Sequence, residues 1–253
     1  MDIKSFKKKK NNKYDIFFKD GKSIELYDDV ILKYNLLLDK KIEDSMYDEI
    51  ILYNSSLDAY YLSIKYLSSK MHTKLEINKY LEKKEFSASI IKETIEKLEK
   101  NKLINENEYL KAFVNDQIKF TKNGPHKIAN KLHLLGIEKE NIYDYLSTIE
   151  DSIWEEKIKK LIDKKIQSNR NYSEIVLKNK ILQSISNEGY DRNMINLLLK
   201  DYDNISNPNI IIKEYNKQKR KLSKKFDGDA LEFQIKMKLK AKGFNFDDLK
   251  KHL

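Results

Sequence analysis

Large apolar residues recur along this chain in one five-position figure, and the figure occurs four times. Its origins are Phe86, Ile137, Tyr190 and Phe244. Nine residues earlier stand Ile77, Ile128, Ile181 and Ile235, and five earlier stand Leu81, Leu132, Ile185 and Leu239. Five residues later come Ile91, Ile142, Ile195 and Leu249, and nine later Ile95, Leu146, Leu199 and Leu253. Residues four apart share one face of an α-helix, so each figure predicts two short helices facing each other across a tight turn. The origins lie 51, 53 and 54 residues apart, a period that marks stacked supersecondary units.

Turn chemistry supports this reading. Gly136, Gly189 and Gly243 directly precede three of the origins, where a left-handed residue ends a helix. Glu85 takes that place in the first unit, so a looser turn, or closure by another residue, is expected there. Ser87, Asp191 and Asn245 are suitable N-caps for the following helices, and Glu138 is not. A further helix precedes each pair: Asp58 to Ser69, Asn105 to Thr121, Trp154 to Ile166 and Ile210 to Leu222. Thr73 with Glu76, and Asp229 with Glu232, have the spacing of capping boxes, and Asn105 with Glu108 resembles one. The expected fold is mostly α: tandem three-helix modules at 56–104, 105–150, 151–204 and 205–253, in an elongated array. Pro125, Pro208, Gly124 and Gly228 are placed in the connections between helices.

Residues 1–55 break this pattern. Lys13 to Tyr27 holds two β-prone runs around Asp20-Gly21, a two-residue hairpin signal, and helices are expected over Asp28–Leu38 and Ile42–Tyr53. Such a hairpin needs something to pack on, so a small hairpin-and-helix subdomain is predicted, leading to the modules near Ser55. The Lys7–Lys10 run reads as a frayed, solvated tail.

Composition narrows the chemistry. The chain has 253 residues, no Cys, six Gly and two Pro. Disulfides and thiolate chemistry are excluded, and every glycine has a structural place, leaving none for a phosphate-cradling loop. No signal core and no long apolar run occurs, which points to a cytoplasmic protein without a membrane segment. Net charge is +10, and residues 211–253 carry 13 basic against six acidic side chains. A basic surface attracts polyanions, although the Lys-rich composition, with only three Arg, also fits an AT-rich genome. His126 and His133 lack further ligands for a metal and read as surface or loop residues. Glu155-Glu156 and Asp247-Asp248 are adjacent and point apart on a helix. Trp154 reads as a packing residue between modules, and the tyrosines as core or interface residues. No nucleophile–base constellation is visible, so no enzyme and no cofactor is expected.

The stretch LINENEYLKAFVNDQIKF, followed by NGPHKIANKLHLLGI, resembles the core of the RecX regulators of recombination. The resemblance rests on Leu103-Ile104, Glu106, Tyr109, Phe113-Val114, Gly124-Pro125, Ile128, Leu132 and Gly136-Ile137. In the preceding module it rests on Leu67, Thr73, Leu75-Glu76, Leu81 and Phe86, and it extends over residues 58–253. Lys84-Glu85 before Phe86, and Lys131, depart from the family pattern. The resemblance implies a monomeric, non-enzymatic modulator that binds RecA and its filament on single-stranded DNA, directly or through RecA, and inhibits ATP hydrolysis and strand exchange. Contact candidates are Lys122, Lys127 and Lys131, and the cluster Lys217, Lys219, Arg220, Lys221, Lys224 and Lys225. Two other readings remain open on the residues alone: a stand-alone helical DNA-binding protein of helix-turn-helix type, and a helical-repeat scaffold for another protein.

Overall fold

A computed structural model of the chain describes residues 1–169, 171–202, 205 and 208–244. They form two compact units. The first comprises Met1–Leu110 with Leu135–Ile137, and the second lies within Lys111–Leu134 and Glu138–Leu253. The architecture is mostly α with one small N-terminal sheet, as the hydrophobic pattern predicts.

The first unit opens with three antiparallel strands in the order β1 (Ile3–Lys8), β2 (Lys13–Phe18), β3 (Ser23–Tyr27). The lysine run is therefore no tail: Lys7 and Lys8 pair in register with Asp15 and Tyr14. Only Ile3 and Phe6 of β1 turn towards the core, and its lysines stay in solvent. Asn11 and Asn12 carry the β1–β2 turn at φ 60° and 57°, a region Asn tolerates better than most residues. The Asp20-Gly21 turn is a three-residue loop, not the two-residue one expected. Phe18 N–H donates to Lys22 O at 2.9 Å, which leaves Lys19, Asp20 and Gly21 outside the ladder. Gly21 at φ +91° supplies the left-handed position that such loops need.

The buried face of the sheet, Ile3, Ile16, Phe18 and Leu26, is covered by α1 (Asp28–Lys33), α2 (Leu36–Asp39) and the start of α3 (Asp44–Leu67). The expected helix over Asp28–Leu38 is split, because Asn35 turns left-handed at φ 51°. The segments expected as two helices, Ile42–Tyr53 and Asp58–Ser69, form the single 24-residue α3, which runs unbroken through Ser55. Ile50 and Leu57 of α3 pack in the sheet core. Ala59 lies in a second core with Ile77 and Leu81 of α4 (Lys74–Glu82) and Ile90, Ile91 and Leu98 of α5 (Ala88–Lys100). Thr73 and Glu76 form the predicted capping box at the start of α4. Asn105 Oδ1 accepts the N–H groups of Asn107 and Glu108 and caps α6 (Glu106–Phe120).

The second unit continues with α7 (Pro125–Leu134), α8 (Lys139–Ser147), α9 (Asp151–Gln167), α10 (Glu174–Asn187), α11 (Arg192–Leu199), α12 (Pro208–Leu222) and α13 (Gly228–Ala241). Pro125 and Pro208 open helices rather than lying between them, at the position where a missing N–H costs nothing. Asp191 caps α11, accepting the N–H groups of Asn193 and Met194. The expected Asp229–Glu232 box does not form: α13 begins two residues earlier, behind Asp227, so Gly228 opens the helix rather than lying in the connection. Of the described positions in the fourfold figure, all are buried except Phe86 and Ile95, which are half-buried. Leu249, Leu253 and the proposed cap Asn245 lie outside the described residues.

The turn glycines do more than end helices. Each lies against the first turn of the second helix of the preceding repeat. A Cβ on Gly136 would stand 2.8 Å from Leu75 Cβ on α4, and one on Gly243 would stand 2.8 Å from Ser173 Oγ, just before α10. At Gly189 it would stand 2.5 Å from Lys127 N and 2.6 Å from Lys127 Cβ on α7. Carbonyls of the turn then accept bonds from the helix start. Gly124 N–H donates to Glu188 O at 2.7 Å, and His126 N–H to Gly189 O at 3.1 Å. Ser173 Oγ donates to Lys242 O at 2.9 Å. Donors left over at one helix start thus meet acceptors left over at another helix end. The turn after α4 has no earlier second helix to lie on. There, Glu85 itself takes the left-handed conformation at φ 66°, without glycine's freedom.

Candidate functional site

Helix α9 is fixed by burying Trp154, Ile158 and Ile162. Trp154 packs edge-on to Tyr190, with ring centres 6.4 Å apart, so it is a packing residue. The helical period then sends Lys157, Lys160, Leu161 and Lys164 to a different face. With Ile118, Lys119, Thr121 and Lys122 at the end of α6, and the ring of Tyr190, they line a groove of about 290 Å³. None of its lining residues is acidic.

The five lysines differ in their engagements. Lys157 Nζ donates to Ile118 O and, at 2.8 Å, to Thr121 O, satisfying carbonyls at the end of α6. Burial, reinforced by repulsion from Lys160, lowers its pKa. Lys160 pairs with Glu156 one turn earlier, at 2.5 Å. Lys119, Lys122 and Lys164 are exposed and have no acidic partner among the described residues. A concave surface carrying one sign of charge concentrates counter-ions.

Of the candidates read from the sequence, Lys122 lines this groove. Lys127 and Lys131 do not, and both have intramolecular partners. Lys127 pairs with Glu188 at 2.7 Å. Lys131 donates at 3.2 Å to Gln117 Oε1, which also accepts from Asn123 Nδ2 and braces the loop before α7. Lys217, Lys219, Arg220 and Lys221 are exposed towards the end of α12, and Lys224 and Lys225 lie in the loop that follows. Lys217 reaches Glu214 at 4.0 Å, and Lys219 lies 5.8 Å over the ring of Tyr215. Cations in the last turn of a helix also complement its dipole.

Sequence reasoning missed Lys119, Lys157, Lys160 and Lys164. The spacing of the last three on α9 was a readable signal. Their meeting with the end of α6 was not, because about forty residues separate the two. His72 was missed as well. His126 and His133 are exposed, but His72 is buried, stacked 3.8 Å from the ring of Tyr66, which in turn stacks 4.3 Å from Tyr80. Its Nδ1 lies 3.5 Å from Glu76 Oε2, and burial lowers its pKa against the opposing pull of Glu76. Among the described residues no group of three or more His, Asp or Glu is placed to hold a metal ion. No helix among them is long and apolar enough to cross a membrane.

Comparison with known proteins decides the family. Residues 59–98 match the family model described as RecX, first three-helix domain. A regulatory protein RecX of Lactococcus lactis subsp. lactis is 30% identical over 241 residues, covering 92% of this chain and 88% of that protein. The chain belongs to the RecX family. Another RecX relative, from Bacillus cytotoxicus, is 31% identical over 225 residues, 87% of this chain and 83% of its own length. Two solved RecX structures share the fold. One has a TM-score of 0.71 at 23% identity and covers 79% of this chain and 99% of its own. The other, RecX from Lactobacillus salivarius, has a TM-score of 0.56 at 26% identity, covering 58% and 96%. The RecX relatives are named regulatory proteins, in keeping with a regulator rather than an enzyme.

Proposed function

We propose that this RecX-family protein binds RecA and its filament on single-stranded DNA, and inhibits RecA ATP hydrolysis and strand exchange. It acts by occupancy rather than catalysis, in the cytoplasm. The observation that carries the reading is the RecX match over nearly the whole chain. The repeated helical units and the lysine-lined groove support it. Repeated units can each contribute a weak contact to a repetitive partner, and the contributions multiply when the units are linked. Cationic side chains suit a partner wound around a polyanion.

The test is RecA ATPase on single-stranded DNA, titrated with this protein and using RecA of the same organism. Loss of ATPase at substoichiometric protein supports capping or destabilisation of filaments. Loss only near saturation supports coating of the filament. Unchanged ATPase, with DNA binding intact, rejects the reading and favours a stand-alone DNA-binding protein.

A further inference from the structure

The N-terminal sheet has two edges, and the fold closes only one of them. Along β3, the outward groups of Glu25 and Tyr27 are taken by Asn54 of α3. Its Nδ2 donates to Glu25 O at 3.3 Å, and its Oδ1 accepts the N–H of Tyr27 at 3.0 Å. Along β1 the cover is partial. Ile3 N–H donates outward to Lys40 O at 2.9 Å, and Asp2 bridges to Lys41, so a short stretch of chain pairs with the start of this edge. Further along, Lys9 N–H donates to Lys13 O, which sets the alternation back through the strand. Lys7 and Ser5 therefore face β2, and the N–H and C=O of Phe6 and Lys8 point away from the sheet. Among the described residues nothing pairs with them. Such a row is a template for another strand.

The side chains select which strand fits. Lys4, Lys7 and Lys8 are exposed and have no acidic partner among the described residues, whereas Lys9 is held by Asp15 and Glu25. These cations repel a second copy of the same edge and attract carboxylates. Beside them Ser5 pairs with Phe17, which is 37% exposed. Lys4, Ser5, Phe17, Phe18, Gly21 and Lys22 line a groove of about 380 Å³ there, with no acidic residue in its wall. Lys4 and Ser5 thus belong both to the edge strand and to the groove. We infer that β1 is a docking edge for an acidic, extended segment of a partner protein. The segment adds as a fourth strand along Phe6 to Lys8 and sets an apolar side chain into the groove by Phe17. Main-chain bonds supply the affinity, and alternate side chains the selectivity. The inference goes beyond the reading under Proposed function and does not depend on it, since it concerns the sheet and a polypeptide.

The probe is a fluorescein-labelled nine-residue peptide of alternating Glu and Val with Phe at its centre, titrated with the full chain and followed by anisotropy. Binding is expected, and hydrogen exchange at the amides of Phe6 and Lys8 should slow when the peptide is present. Lys8→Pro removes an outward N–H at an edge position where proline fits a strand. It should weaken binding about fivefold or more, the value of one main-chain hydrogen bond, with an unchanged thermal melt. Methylation of alternate peptide amides leaves the protein untouched: the set facing β1 should abolish binding, and the other set should not. Lys4→Glu and Lys7→Glu should each weaken binding about twofold or more and reduce its dependence on salt. Lys92→Glu, exposed on α5, should change neither. Failure of the peptide to bind would overturn the inference, as would equal binding of a peptide with Lys in place of Glu. So would binding indifferent both to Lys8→Pro and to the position of the methyl groups, because charge alone would then hold the peptide. Oligo(dT) held by Lys4 and Lys7 while the peptide fails would overturn it in favour of a nucleic-acid contact. A RecA ATPase left unchanged by this protein leaves the inference standing.

Discussion

Replacing Gly189 with Ala tests whether the turn glycines are needed for conformation alone or for contact as well. Gly189 has φ +91°, where a Cβ costs about 1–2 kcal/mol in backbone strain. The new methyl group would also stand 2.5 Å from Lys127 N and 2.6 Å from Lys127 Cβ. One of those is a backbone atom, so the turn must move off the start of α7. That movement stretches the bonds from Gly124 N–H to Glu188 O and from His126 N–H to Gly189 O, each contributing about 1 kcal/mol. The expected loss is about 3–4 kcal/mol. Gly21 supplies the comparison: its φ is also +91°, but nothing lies within 4 Å of where its Cβ would be. Gly21→Ala should therefore cost only the strain, about 1–2 kcal/mol. Urea unfolding followed by circular dichroism measures both variants. For Gly189→Ala, fluorescence of Trp154, the only tryptophan, adds a local probe beside Tyr190. A loss at Gly189 no larger than that at Gly21 would refute the contact argument.

Three further outcomes follow from local geometry. Glu85→Gly should have the opposite sign to Gly189→Ala. It relieves a left-handed non-glycine residue and should stabilise the first unit by about 0.5–1 kcal/mol after glycine's entropy is set against it, as read from a thermal melt. Thr73→Ala removes one half of the capping box and should cost about 1 kcal/mol, and Glu76→Ala in the same background should then cost less than it does alone. His72, with its folded pKa held below the ordinary 6.5, binds its proton more weakly folded than unfolded. Stability is therefore full above pH 6.5 and falls as pH drops through the window between the two values. Urea midpoints of the unaltered chain and His72→Phe should run parallel above that pH and diverge below it, with the unaltered chain falling faster. Parallel curves throughout would remove His72 as the titrating group.

The repeats were legible because burial of a helix face has a fixed period, and no other arrangement keeps large apolar residues at every one of those positions. Ile77, Ile128, Ile181 and Ile235 are all buried where the spacing puts them. The first strand was obscured because a strand buried on one face needs few apolar residues. Ile3 and Phe6 suffice in β1, and the lysines that follow Phe6 read as a tail. The length of α3 was hidden by Asn54, Ser55 and Ser56, which look like a loop. In the structure Asn54 accepts the N–H of Tyr27 and donates to Glu25 O, while Ser56 Oγ bonds back to Tyr53 O, so two of these polar side chains are satisfied inside a continuous helix. The basic groove was only half readable. The lysine face of α9 follows from its period, but Lys119 and Lys122 meet it through tertiary packing that local sequence does not encode.

The continuity of α3 has a consequence for rotational phase. One helix carries Ile50 and Leu57 into the sheet core and Ala59 into the three-helix core, so the two cores are keyed to each other as cams on one shaft. An extra residue inserted after Leu57 would turn everything beyond it by about 100° and advance it about 1.5 Å. An insertion of seven would restore the phase to within about 20°. Change in this segment is therefore constrained less by which residues stand there than by how many.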